Sequence, residues 1–292
     1  MRPTLITDDM RYWCVAPDPR LRAQVVCYWM VEATEQSHRR PVSDAQALMI
    51  PDGHSEIVMN RGPGTFERWK LDTPRAAEIM RGSYVIGGRS HSVSTRSLAP
   101  LSLAGVKLDP RFLRLITGVP LDEFRDQTAA LADLGRGELH TLEQQVAAAR
   151  DAKAIVALLD GFLLRHLEAR RATSAVDALS RRIRETRGAV GILQWAREAG
   201  VDLRQLERSF TRAFGMTPKK YARVIRFKHL YRRVFAAGAP RRPLARQIDD
   251  CYDQSHFIRE FRHFTGHAPG ALLNGGCRDH LSVADHLLEC ED

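Results

Sequence analysis

The sequence predicts an α+β chain, β-rich in its first part and helical in its second. Three observations lead there. Short apolar runs give way to helical spacing at Pro110, the later part repeats itself at one constant offset, and 292 residues exceed what a single core ordinarily organises. Four segments follow: a β-rich effector or sensor domain over 1–130, a helical connector or dimerisation segment over 131–174, a helical domain over 175–275 and a tail over 276–292.

VVCYWMV (25–31), ALMI (47–50), EIVMN (56–60) and SYVIGG (83–88) are short apolar runs separated by Gly and Pro turns, which reads as strands. Their aromatic residues, Tyr28 and Trp29 among them, are expected to be core. From Pro110, Phe112, Leu113, Leu115 and Ile116 take helical spacing up to a break at Gly118-Val119-Pro120. Between 138 and 170, Leu139, Leu142, Val146, Ile155, Leu159 and Phe162 predict one or two amphipathic helices, suited to joining domains or protomers. EARRATSA (168–175) is small, polar and charged, and reads as a linker. Beyond it Gly188, Gly200, Gly215, Gly238 and Gly266 interrupt the pattern so often that only short helices fit. The tail from Asn274 has little to bury.

Composition is that of a globular protein, 44% hydrophobic and 27% charged, with no apolar run near the ~20 residues that span a bilayer. MRPTLITDDMRYW has acidic residues where a signal peptide needs an apolar stretch, so a cytoplasmic location without membrane contact is expected. The five cysteines are scattered and odd in number, which predicts reduced thiols. Charge is divided unevenly. Residues 175–275 carry +11 and the rest of the chain −2, so all the excess positive charge sits in the helical domain, as for a part that meets a polyanion.

Within that domain the repeat offset is 51 residues: Asp202 matches Asp253, Leu206 Phe257, Arg208 Arg259, Phe210 Phe261, Gly215 Gly266, and Pro218 Pro269. Each copy reads as an Asp N-cap, a helix with apolar residues facing inward at i and i+4, and a Gly that ends it. Upstream, ILQWAREAGV (192–201) predicts a short helix with Leu193, Ala196 and Ala199 on one side, which completes a helix-turn-helix. Thr217-Pro218 starts a helix carrying Tyr221, Val224, Phe227, Tyr231 and Val234 that would space the two units. The outward face of the first unit offers Arg204, Gln205, Glu207, Arg208 and Arg212, and that of the second Gln254, Ser255, His256, Arg259 and Arg262. These side chains suit a major groove, because Arg donates twice to the guanine O6/N7 edge, Gln pairs with adenine and Glu accepts from cytosine N4.

YDQSHFIREFRHFTGHAP (252–269) resembles the second helix-turn-helix of the AraC family of bacterial transcription regulators, and VDLRQLERSFTRAFGMTPKKYARVIRF (201–227) resembles its first unit and connecting helix. The resemblance implies two recognition helices in successive major-groove segments on one DNA face. Arg204, Glu207 and Arg208 would read bases in the first unit, Ser255, His256 and Arg259 in the second. It also implies RNA polymerase as a partner; an activator is the expected role with repression left open, as is the choice between monomer and homodimer. PLARQIDDCYDQ (243–254) departs from the pattern, with Asp250 and Cys251 where relatives carry a turn Gly; this implies a shorter first helix and a weaker grip in unit two. PDGHSEIVMNRG (51–62) and LSLAGVKLDPRFLRLITGVPLDEF (101–124) resemble the sensor domain of one AraC-type subgroup, which implies an effector or assembly domain of cupin-like shape; relatives often carry Cys at the position of His54.

Two other constellations have the residue types of a metal site. His54 and Glu56 alternate on a predicted strand, with His91 as a third member, but an HxH pair is absent and pocket-lining roles fit better. Cys277, His280, His286 and Cys290 have zinc-compatible spacing in a weakly apolar tail. No GxSxG, Walker or HExxH motif is present, so neither enzyme activity nor a cofactor is expected. The sequence predicts a DNA-binding transcription regulator tuned by a small ligand or by dimerisation. The alternative is a metal-using cupin-type enzyme or repair regulator fused to a DNA-binding module.

Overall fold

A computed structural model describes residues 4–7, 10–34, 46–70, 77–167, 174–235 and 254–270. Asp250, Cys251, Gly238, most of the linker and the tail residues Cys277, His280, His286 and Cys290 lie outside them.

The N-terminal domain is a pair of antiparallel sheets. One has the order β1 (Thr4–Thr7), β2 (Met10–Val15), β3 (Val25–Ala33), β10 (Ser102–Leu108), β5 (Ser55–Asn60), β8 (Tyr84–Ile86), β11 (Thr128–Ala130). The other runs β4 (Gln46–Met49), β9 (Val93–Ser97), β6 (Phe66–Lys70), β7 (Glu78–Met80). The larger sheet is buried on both faces, which is why its strands read as continuous apolar runs. Along β3 the period of two sends Cys27, Trp29 and Val31 into the space between the sheets and Tyr28 and Met30 to the opposite face. Gly105, opposite Trp29 on β10, permits this packing, since a Cβ there would lie 2.1 Å from the indole.

The outer face of the larger sheet is covered by α1 (Pro110–Thr117), α2 (Gly137–Ala148) and α3 (Ala152–Leu167). Asp109 caps α1 and Gly118, left-handed at φ 74°, ends it at the break the sequence predicts. Leu139, Leu142, Val146, Ile155, Leu159 and Phe162 of α2 and α3 share one core with the sheet residues Ile57, Val85 and Val106. Each such side chain contributes roughly 1.5–3 kcal/mol of burial. Cys14 is disulfide-bonded, which corrects the expectation of reduced thiols; Cys27 is free and buried, and burial pushes its thiol pKa up to about 12.

The helical domain comprises α4 (Ala175–Glu185), α5 (Ile192–Glu198), α6 (Leu203–Phe214), α7 (Pro218–Phe235) and α8 (Gln254–Thr265). Ser174 and Asp177 form a reciprocal capping box at the start of α4. On α5 only Ala196 of the three predicted inward residues is buried. Leu193 and Ala199 are exposed, because the short helix turns its Ile192 and Trp195 side to the core instead. No described helix is long and apolar enough to cross a membrane.

The two domains are packed together. Leu48 and Ile50 from the β-domain join the core of α4–α8. A Cβ on Gly53 would meet Ile225 at 2.8 Å, and one on Gly215 would meet the Leu121 carbonyl at 2.4 Å. The Ser92 N–H donates to the Phe264 carbonyl of α8 at 2.9 Å.

Candidate nucleic-acid interface

The physical requirements of a recognition helix are met locally in α6. The Asp202 carboxylate accepts the Gln205 N–H at 2.7 Å, Leu206, Phe210 and Phe214 are buried, and Gly215 ends the helix at φ 71°. The same period leaves Arg204, Gln205, Glu207, Arg208 and Arg212 exposed. In α8 Phe257, Phe261 and Phe264 are buried and Gly266 has φ 72°. Gly215 and Gly266 each donate to the carbonyl four residues back, at 2.8 and 2.9 Å. Ser255, Arg259 and Arg262 are exposed; Gln254 and His256 sit on α8 with their side chains outside those described.

The spacer α7 holds one aromatic group for each unit. Phe210, Phe214 and Tyr221 gather on one side, with the Phe210 and Phe214 rings 4.4 Å apart. Phe227 stacks on Phe264 at 4.5 Å and meets Phe261 edge-on at 5.8 Å. Arg223 adds an ion pair with Glu260 of α8 at 2.8 Å. The two outward faces are thus set on one rigid, aromatic-filled support.

The β-domain carries what the sequence concealed, a group of buried charges. Lys107 and Asp52 pair at 2.7 Å with 3% and 5% of their side chains exposed. Burial opposes the Asp52 carboxylate, yet the Lys107 ammonium and His54 beside it hold its pKa well below the usual range. Lys228, from α7, is buried against this pair, and desolvation brings its pKa down to about 7 despite the attraction of Asp52. Glu56 lies opposite Lys107 in the β5–β10 register and pairs with Arg89. The signal in the sequence was Lys107 itself, a cation inside the apolar run LAGVKL.

Between the two sheets lies a cavity of about 140 Å³. Trp29, Val31, Met49, Phe66, Tyr84 and Leu103 make its wall apolar, and Glu56, Arg68 and Arg89 supply polarity. The Trp29 and Arg89 Nε hydrogens have no acceptor among the described residues. The proposed trio of His54, Glu56 and His91 is not brought together. His54 neighbours Asp52, Glu56 faces Arg89, and His91 lies 3.4 Å from Asp126. The described residues contain no group of three or more His, Cys, Asp or Glu side chains placed to hold a metal.

Residues 195–275 match the family model described as a helix-turn-helix domain, and residues 14–130 match a domain of unknown function, DUF6597. No curated protein matches the sequence. Among solved structures, ToxT from Vibrio cholerae is similar at 10% identity over 86% of this chain and 96% of that chain, with a TM-score of 0.41. ToxT of strain O395 bound to (E)-4-(8-methylnaphthalen-1-yl)but-3-enoic acid gives 8% identity over 86% and 96%, TM-score 0.43. The AraC-like transcriptional activator CuxR gives 14% over 79% and 80%, TM-score 0.25. These likenesses are distant, and the fold stands on the chain's own elements.

Proposed function

From the premise that this chain carries an AraC-type helix-turn-helix domain, we propose that it is a non-enzymatic transcription regulator reading DNA with α6 and α8. The observation that carries this reading is the duplicated geometry. Two helices with matched glycine ends, φ 71° and 72°, bury their phenylalanines and leave Arg208 and Arg259 at equivalent exposed positions. Arg204, Glu207 and Arg208 would contact base edges in one groove segment, and Ser255, His256 and Arg259 in the next. Gln205, Gln254, Arg212 and Arg262 would complete the interface on bases or phosphates. The DNA-binding unit would span residues 175–275.

The cavity between the sheets is the effector site in this reading. Two buried N–H groups without an acceptor among the described residues, Trp29 Nε1–H and Arg89 Nε–H, in an apolar wall call for a small ligand with an apolar body and an acceptor group. Its effect, and any contribution of a second copy or of RNA polymerase, would reach α6 and α8 through the packed domain boundary.

Selection of bound sequences from random DNA tests the proposal. The expected product is a site with two half-motifs about 10 base pairs apart, bound with an affinity that falls steeply with salt. Recovery of no motif, or a salt-insensitive affinity, would overturn it.

A further inference from the structure

We propose that the cleft between the β-domain and α4 is a second ligand site, built for a small phosphate ester that carries a hydrogen-bond donor. The site is separate from the DNA-reading face; only its influence on DNA affinity rests on the function proposed above. The cleft has a volume of about 350 Å³ and gathers four guanidiniums, Arg22 and Arg111 from one domain and Arg181 and Arg184 from the other.

The single carboxylate in its lining is Asp109. Arg111 pairs with it at 2.5 Å and Arg184 approaches it at 3.8 Å. Outside the lining, Asp177 pairs with Arg111, Asp18 acts on Arg22 and Glu185 on Arg184, so the excess of positive charge belongs to the lining itself, four guanidiniums against one carboxylate. His54, also in the lining, adds none, since burial depresses its pKa. The inner two guanidiniums are held in place: Arg111 lies over the Phe214 ring at 4.9 Å, and Arg184 donates to the Tyr221 hydroxyl at 3.1 Å. The outer two, Arg22 and Arg181, are exposed, and neither side chain has an ion pair or hydrogen bond among the described residues. Fixed and free forks facing one concavity suit the several oxygens of a phosphate, which arginine engages in bidentate fashion. A concave wall in which positive charge predominates also raises the local concentration of anions.

Gln24 supplies the second, independent observation. It is 7% exposed, lines the cleft, and its side-chain oxygen has no donor among the described residues. A bare anion leaves that oxygen unsatisfied, whereas a hydroxyl or amino group on the body of a phosphate ester satisfies it. Because both domains contribute arginines, such a ligand ties them together and favours the docked arrangement.

Isothermal titration of the full chain with inorganic pyrophosphate, ribose 5-phosphate and acetate, in the absence of DNA, tests the site. Both phosphates are expected to bind and to raise the melting temperature, and acetate to do neither. Arg22→Gln combined with Arg181→Gln, at two exposed positions, should weaken both phosphates at least tenfold. Gln24→Leu should weaken ribose 5-phosphate and spare pyrophosphate. Arg208→Ala, on the recognition face, should leave all three titrations unchanged. Phosphate binding that is the same in wild type and the double variant overturns the proposal. So does a double variant that loses DNA affinity with its phosphate titrations intact, since the arginines would then be contacts to the DNA backbone. With no DNA in the cell, a failed titration leaves the DNA-reading proposal standing, and a failed DNA selection leaves this one standing.

Discussion

The two helices proposed to read DNA, α6 and α8, are copies of one design, yet they are supported differently. The start of α6 is fixed by its own Asp202 cap, and its end meets the β-domain at the Leu121 carbonyl. Within α8, Phe261 and Phe264 rest on Phe227 of the spacer, Glu260 is paired with Arg223, and the last turn accepts a hydrogen bond from Ser92. A duplicated sequence thus fixes the shape of each reading face, while the neighbours decide how each face is held. Both units rest on the spacer and touch the β-domain, and α8 adds the Arg223–Glu260 ion pair and the hydrogen bond from Ser92; our proposal is that unit one, whose sequence keeps the family's turn pattern, sets specificity.

The most damaging way to break that arrangement is Phe227→Ala, which removes the ring between the spacer and α8. A loss of about 3–5 kcal/mol is expected in chemical denaturation, with α8 becoming accessible to protease before α6. Arg208→Ala against Arg259→Ala sharpens the comparison at the DNA. The first should cost about 1–3 kcal/mol of binding to a selected site and the second less; equal losses in a titration would end the idea that unit one dominates. Asp202→Ala should cost about 1 kcal/mol of stability through the lost cap, and Asp202→Asn should recover most of it.

The last test concerns the boundary between the domains. Lys228 has a folded pKa of about 7, below its ordinary value. Above pH 7 the unfolded chain therefore holds a proton that the folded chain has released, and stability rises with pH until the unfolded amine also titrates. Thermal melts from pH 7 to 10 should show wild type gaining on Lys228→Met. Parallel curves would mean that the amine is charged in the fold.

Much of this was legible in the sequence because the duplicated unit is specified locally. An N-capping Asp, phenylalanines four apart and a terminal Gly each act within one or two turns, so the 51-residue offset located them before any coordinates. The buried charges were not legible, since Asp52, Lys107 and Lys228 lie far apart along the chain and charged residues ordinarily face water. The trio of His54, Glu56 and His91 failed for a definite reason. His54 precedes β5 and follows Gly53, whose φ is 83°, so strand alternation does not extend back to it. Only Glu56 faces the cavity, while His54 faces the cleft at α4. Leu193 misled because a helix of seven residues has too few turns for its apolar positions to define a face.

Leu48 and Ile50 belong to the β-domain by sequence and to the helical core by packing. The chain is accordingly knit into one cooperative unit of unfolding, since melting the β-domain strips those side chains from the helices and melting the helices bares them. Calorimetry should record one heat-absorption peak, and an isolated 175–275 fragment would present the imprint of Leu48 and Ile50 as an apolar scar prone to self-association.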